Sequence, residues 1–152
     1  MALRTRDPQE LFDLACSGDR GALARLLSMV ERSDEESRAV SRIAYPKSGK
    51  AYTVGLTGAP GAGKSTLTAA TIGVLRKREI EVAILAIDPS SPFTGGAILG
   101  DRVRMQDFAT DPGVFIRSMA TRGHLGGLSL ATPEAIRVLD AVGRQWVLVE
   151  TV

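Results

Sequence analysis

The stretch 52–67, YTVGLTGAPGAGKSTL, constrains the chain more than any other. It joins a short apolar run, a glycine-rich turn and a helix start in one unit. Gly58, Gly63, Lys64 and Ser65 fit G-x-x-x-x-G-K-[ST], a pattern whose backbone N–H groups curl around a phosphate chain. The loop Gly58, Ala59, Pro60, Gly61, Ala62, Gly63 brings those amides close to an anion. Its glycines adopt angles closed to other residues and put no side chain in the way. Lys64 adds a positive charge for the β- and γ-phosphates, and Ser65 offers a hydroxyl to Mg²⁺. The following helix aims unpaired N–H groups and its positive dipole end at the same oxygens. A chance glycine-rich turn before a lysine is the competing reading. The motif needs a buried strand before it and a helix after it, and residues 52–57 and 65–76 supply both patterns.

Composition bounds the rest. The 152 residues, 44% of them hydrophobic, suffice for the core of one ordinary domain. A formal charge of +2 arises from nineteen basic and seventeen acidic residues interspersed without a basic block, so no nucleic-acid track is expected. Cys16 is the only cysteine, which rules out an intrachain disulfide or a cysteine-based zinc cluster and suits a reducing, cytoplasmic setting. The start, MALRTRDPQE, lacks the apolar run of a secretory signal, and the apolar runs are strand-sized, short of the roughly 20 residues a membrane helix needs. A soluble protein without membrane partners is the expectation.

Residues 1–50 read as a helical extension. A first helix from Pro8 carries Leu11, Leu14 and Ala15 on one side and stops at Ser17–Gly18. Asp19 caps a second, with Leu23, Leu26, Leu27 and Val30 on one face. The stretch from Ser33 to Ser37 breaks the stripe. A further turn or two carries Val40 and Ile43 to Tyr45–Pro46 before a linker, 47–50. Cys16 is expected to be a small buried side chain. Residues 51–152 read as an α/β domain. Val82 to Ile87 is an unbroken apolar strand of the kind buried in parallel sheets, ending at Asp88–Pro89. Asp88 then sits on the rim where open α/β sheets bind ligands, although an aspartate before proline also suits a plain turn. Residues 89–100 lack a period and read as a mobile loop, and 101–105, DRVRM, read equally as a nucleotide-sensing switch or a solvated patch. Val114 to Ser118 forms a strand, and the turn at 122–127 holds His124, a loop histidine without catalytic duty. Thr132-Pro133-Glu134 starts a helix with Thr132 as the capping hydroxyl, Ile136, Val138, Leu139 and Val142 on its apolar side, and Gly143 closing it. The run from Gln145 is a fourth strand with Glu150 near its end. Alternation of strands with crossovers predicts a parallel sheet. Asp88, Asp101 and Glu150 would then gather by the phosphate loop, and carboxylates beside phosphates call for a cation between them.

Four stretches together, GAPGAGKSTL, VAILAIDPSSPFTGGAILGDRVRM, FIRSMATRGHLGGLS and the terminal VLVET, resemble the MeaB/ArgK group of GTPases, G-protein chaperones of methylmalonyl-CoA mutase and related cobalamin-dependent mutases. The resemblance spans nearly all of residues 8–152 and implies a P-loop NTPase fold, a mostly parallel sheet flanked by helices. It implies that Lys64, Ser65 and Thr66 hold phosphates and Mg²⁺, with Ser65, Asp88, Asp101 and Glu150 around the metal and Lys64, Asp101 and Glu150 as the catalytic groups. GTP or GDP as nucleotide, a cobalamin-dependent mutase as partner and homodimerisation of the full-length protein are further implications. Family members continue beyond Val152 with roughly half their length, so the chain resembles an N-terminal part with an incomplete sheet. A P-loop kinase or ATPase and a non-catalytic fragment are the alternatives.

Overall fold

The computed structural model describes residues 5–88, 106–121 and 130–151. Asp101, His124 and the stretch 89–105 therefore lie outside the described residues. The chain divides into two compact units, residues Met1–Ala51 with Ala131–Arg144, and Tyr52–Leu130 with Gln145–Val152.

The first unit is helical. α1 (Pro8–Cys16) starts on Asp7, whose carboxylate accepts from the Glu10 amide, and has proline in its first turn. α2 (Arg20–Arg32) is capped by Asp19, which accepts from the Ala22 amide at 2.8 Å, as expected. It buries Leu23, Leu26, Leu27 and Val30 together with Ala22 and Met29. Ser33 ends it in the left-handed region (φ 57°), and Asp34 at once caps α3 (Glu35–Ala44), which runs longer than the turn or two the sequence suggests. α3 leads into a 3₁₀ turn, Tyr45–Lys47.

Helix α5 (Thr132–Ala141) follows the third strand in sequence yet packs with α2 and α3 in this unit. The Ser41 hydroxyl donates to Glu134 at 2.7 Å, and the Asp140 carboxylate accepts from the amides of Gly49, Lys50 and Ala51. Ala135, Val138 and Leu139 form its buried side. Thr132 is not its cap: the helix begins at that residue, which puts the cap position on Ala131, where no side chain can reach back. Gly143 closes the helix at φ 103°, an angle that favours glycine. Cys16 is exposed rather than buried, because α1 ends there beyond its buried Leu11, Phe12 and Ala15. The partial burial it retains pushes its thiol pKa up.

The second unit holds a four-stranded parallel sheet in the order β1-β4-β2-β3, with β1 Tyr52–Leu56, β2 Val82–Asp88, β3 Val114–Ala120 and β4 Trp146–Glu150. β2 is buried along nearly its whole length, which matches its unbroken apolar sequence. α4 (Lys64–Lys77) packs Ile72 and Leu75 onto Val82, Ile84, Val114 and Leu148. Its basic C-terminal turn suits the helix dipole, and Arg76 has a second use. It pairs with Asp111 at 2.9 Å and donates to the Ile80 carbonyl, tying the end of α4 to the approach to β3. Among the described residues no helix is long and apolar enough to cross a membrane.

Candidate phosphate site

Three elements position this site, β1, α4 and β4, and all belong to the second unit. β1 ends at Leu56, the chain turns through Thr57–Gly63, and α4 begins at Lys64. Gly61 and Gly63 lie at φ 81° and 91°, and Gly63 occupies the cap position of α4. A residue with a Cβ would be strained there, and the glycines let the chain reverse directly from loop into helix. The first-turn amides of a helix lack intrahelical acceptors, so α4 presents donors and the positive end of its dipole at the loop. Lys64 arches back over this turn. Its ammonium donates to the carbonyl of Gly58, and to that of Ala59 at 3.2 Å.

The neighbouring strand supplies the acid. β4 pairs with β1 so that Glu150 stands level with Leu56, the last residue before the loop, and the Thr151 amide bonds the Leu56 carbonyl at 2.9 Å. Glu150 is only 6% exposed. Its two oxygens are each met by a hydroxyl of α4: Ser65 donates to Oε1 at 2.8 Å and Thr68 to Oε2 at 2.9 Å. On the other side of β4, Ala86 of β2 is level with Glu150, and Asp88 follows two residues later. Alternate strand residues share a face, so Asp88 and Glu150 continue the face on which Val82, Ile84 and Leu148 meet α4. The Asp88 carbonyl accepts from the Thr121 amide at 3.0 Å, which ties the end of β2 to the end of β3.

Of the residues singled out from sequence, the fold brings Lys64, Ser65 and Glu150 together at one end of α4, with Thr66 in its first turn and Asp88 on the adjacent strand end. No group of three or more metal-binding side chains forms among the described residues. The donors present are a hydroxyl and carboxylates, all hard oxygens, and this chemistry fits Mg²⁺ beside a phosphate. Thr68 is the site residue that sequence reading passed over. Its signal was available, since a hydroxyl three positions after Ser65 lies on the same helix face.

Known proteins resemble this chain over most of its length. Residues 23–152 match the family described as Methylmalonyl Co-A mutase-associated GTPase MeaB. A candidate GTPase of Pyrococcus abyssi is 59% identical over 143 residues, covering 94% of this chain and 44% of that protein. Its counterpart in Pyrococcus horikoshii is 54% identical, with 94% and 45% covered. A crystal structure of an LAO/AO transport system kinase superposes with a TM-score of 0.72 at 26% identity, spanning 99% of this chain and 45% of the other. The chain thus spans about half the length of the curated relatives it matches. The shared fold is that of a P-loop NTPase, as expected from the motif and the strand pattern.

Proposed function

Because the chain belongs to the MeaB family of methylmalonyl-CoA mutase-associated GTPases, we propose that it carries the phosphate-binding half of a GTPase that serves a cobalamin-dependent acyl-CoA mutase as a chaperone. The observation that carries this reading is the joining of phosphate loop and acid: Ser65, the last residue of the G-x-x-x-x-G-K-S motif, donates directly to the buried Glu150.

In this reading the residues divide the work. The loop from Gly58 to Gly63 and the first turn of α4, Thr66 included, hold the phosphates through backbone amides. Lys64 exchanges the carbonyls of Gly58 and Ala59 for phosphate oxygens and stabilises charge on the transferred group. Ser65, Asp88 and Glu150 hold the cation or its waters, joined by Asp101 from outside the described residues. Mg²⁺, when bound, supplies neutralisation of the phosphate charge. A cytoplasmic setting, a mutase of the methylmalonyl-CoA type as partner and homodimerisation of the whole protein belong to the same proposal.

A second reading has one observation behind it, the description of the solved neighbour as a transport system kinase, which points to ATP-dependent phosphoryl transfer. Calorimetric titration of the chain with a non-hydrolysable GTP analogue and its ATP counterpart, each with Mg²⁺, separates the two. The GTPase reading expects guanine-selective binding. Preferential binding of the ATP analogue would favour the kinase reading, and binding of neither would overturn both for this chain.

A further inference from the structure

Thr68 lies three residues after Ser65 on α4, so both hydroxyls point from one helix face toward β4. It is fully buried, and its Oγ1 stands 2.9 Å from Glu150 Oε2 and also 2.9 Å from the carbonyl of Lys64. A threonine hydroxyl has one proton to give. The bond to the preceding turn is the ordinary habit of a mid-helix threonine, as Thr71 shows with the Leu67 carbonyl. Thr68 differs because a carboxylate oxygen competes for that proton, and a charged acceptor makes the stronger bond. The Ser65 hydroxyl meanwhile donates to Oε1 at 2.8 Å. The two hydroxyls therefore grip one carboxylate at both ends and fix its plane.

We propose that Thr68 is a positioning residue of the nucleotide site, holding Oε2 of Glu150 so that Oε1 stays turned to Ser65. The inference rests on the reading of the loop as a nucleotide site. The Ser65 oxygen is thereby held against Oε1, and a hydroxyl and a carboxylate side by side are the hard oxygen pair that a Mg²⁺ ion takes. Remove the Thr68 hydroxyl and the carboxylate is free to rotate, so both oxygen donors lose their orientation together. Residues that orient ligands in this way change metal affinity roughly 10–100-fold when replaced.

The test measures binding of N-methylanthraniloyl-GDP by fluorescence, first in EDTA and then across a Mg²⁺ titration, for the unaltered chain, Thr68→Val and Thr68→Ser. Thr68→Val keeps the shape and deletes the hydroxyl. It is expected to raise the Mg²⁺ concentration for half-maximal effect about 10-fold or more while leaving binding in EDTA unchanged. Thr68→Ser restores the hydroxyl and is expected to follow the unaltered chain. If Thr68→Val does not fold, Thr68→Ala is read in the same way. An unshifted Mg²⁺ midpoint in a variant that melts earlier would reduce Thr68 to a packing residue and overturn the proposal. A shift in Thr68→Ser equal to that in Thr68→Val would also overturn it, because the hydroxyl would not be the cause. Absence of Mg²⁺-linked nucleotide binding in the unaltered chain would instead fault the nucleotide-site reading itself, and the role of Thr68 would fall with it.

Discussion

Lys64→Ala is expected to weaken binding of a GTP analogue by roughly 10–100-fold, because a hydrogen bond to a charged group contributes about 1.5–3 kcal/mol. The fold is expected to survive. Lys64 is only half-buried, and its ammonium reaches the backbone carbonyls of its own loop rather than the core. Alanine also has the higher helix propensity at the start of α4. Calorimetry and a thermal melt on the same preparation check both halves. A large loss of binding with an unchanged melting temperature agrees with a phosphate-binding lysine. Unchanged binding would mean that the nucleotide, if bound, is held elsewhere, and a collapsed melt would mean that Lys64 organises the loop itself.

Glu150→Gln is expected to separate stability from function. Burying a carboxylate carries a desolvation cost of several kcal/mol, set here against the hydrogen bonds that the Ser65 and Thr68 hydroxyls donate to it. Glutamine keeps the shape. Its oxygen can accept from Ser65, its amide can donate to Thr68, and Thr68 can then donate to the Lys64 carbonyl already 2.9 Å away. Every polar group keeps a partner while the buried charge disappears. The variant is therefore expected to match or exceed the melting temperature of the unaltered chain in EDTA, and to need roughly 10–100-fold more Mg²⁺ to support nucleotide binding. A variant destabilised by about 3 kcal/mol with an unchanged Mg²⁺ requirement would make Glu150 a structural acid, since hydrogen bonds to a charged group contribute about 1.5–3 kcal/mol each.

The parts of this architecture that depend on local chemistry were legible in the sequence. Asp19 as a cap, the buried strand from Val82 and the strand-loop-helix around Lys64 each follow from neighbouring residues and are present, whereas the break expected from Ser33 to Ser37 is shorter, because Asp34 caps α3 at once, and β1 is largely exposed where a buried strand is expected. Distant pairing was harder to read. Val138 and Leu139 give α5 a buried side, but nothing in that stripe says that it joins the N-terminal helices instead of the strands on either side of it in sequence. The link is made by Ser41 to Glu134 and by Asp140 to the 49–51 amides, contacts across roughly ninety residues that local periodicity cannot encode. Thr68 was missed for the same reason. Its hydroxyl is visible as an i+3 neighbour of Ser65, but its partner Glu150 lies 82 residues away. Thr132 and Cys16 failed at helix ends, where a shift of one residue decides which side chain caps and which is covered. Ser65 and Glu150 meet because parallel pairing brings the ends of β1 and β4 level, and the motif fixes the turn and the helix after β1.

The most direct measurement is a titration of isotope-labelled chain with GDP and Mg²⁺, monitored by amide chemical shifts. If the stretch from Gly58 to Thr66 cradles the phosphates, the largest changes fall on the amides of Gly61, Gly63, Lys64, Ser65 and Thr66, with a second, Mg²⁺-dependent set at Thr68 and Glu150. Changes confined to the helical unit, or none in the loop at saturating nucleotide, would contradict the assignment of this turn as the nucleotide site.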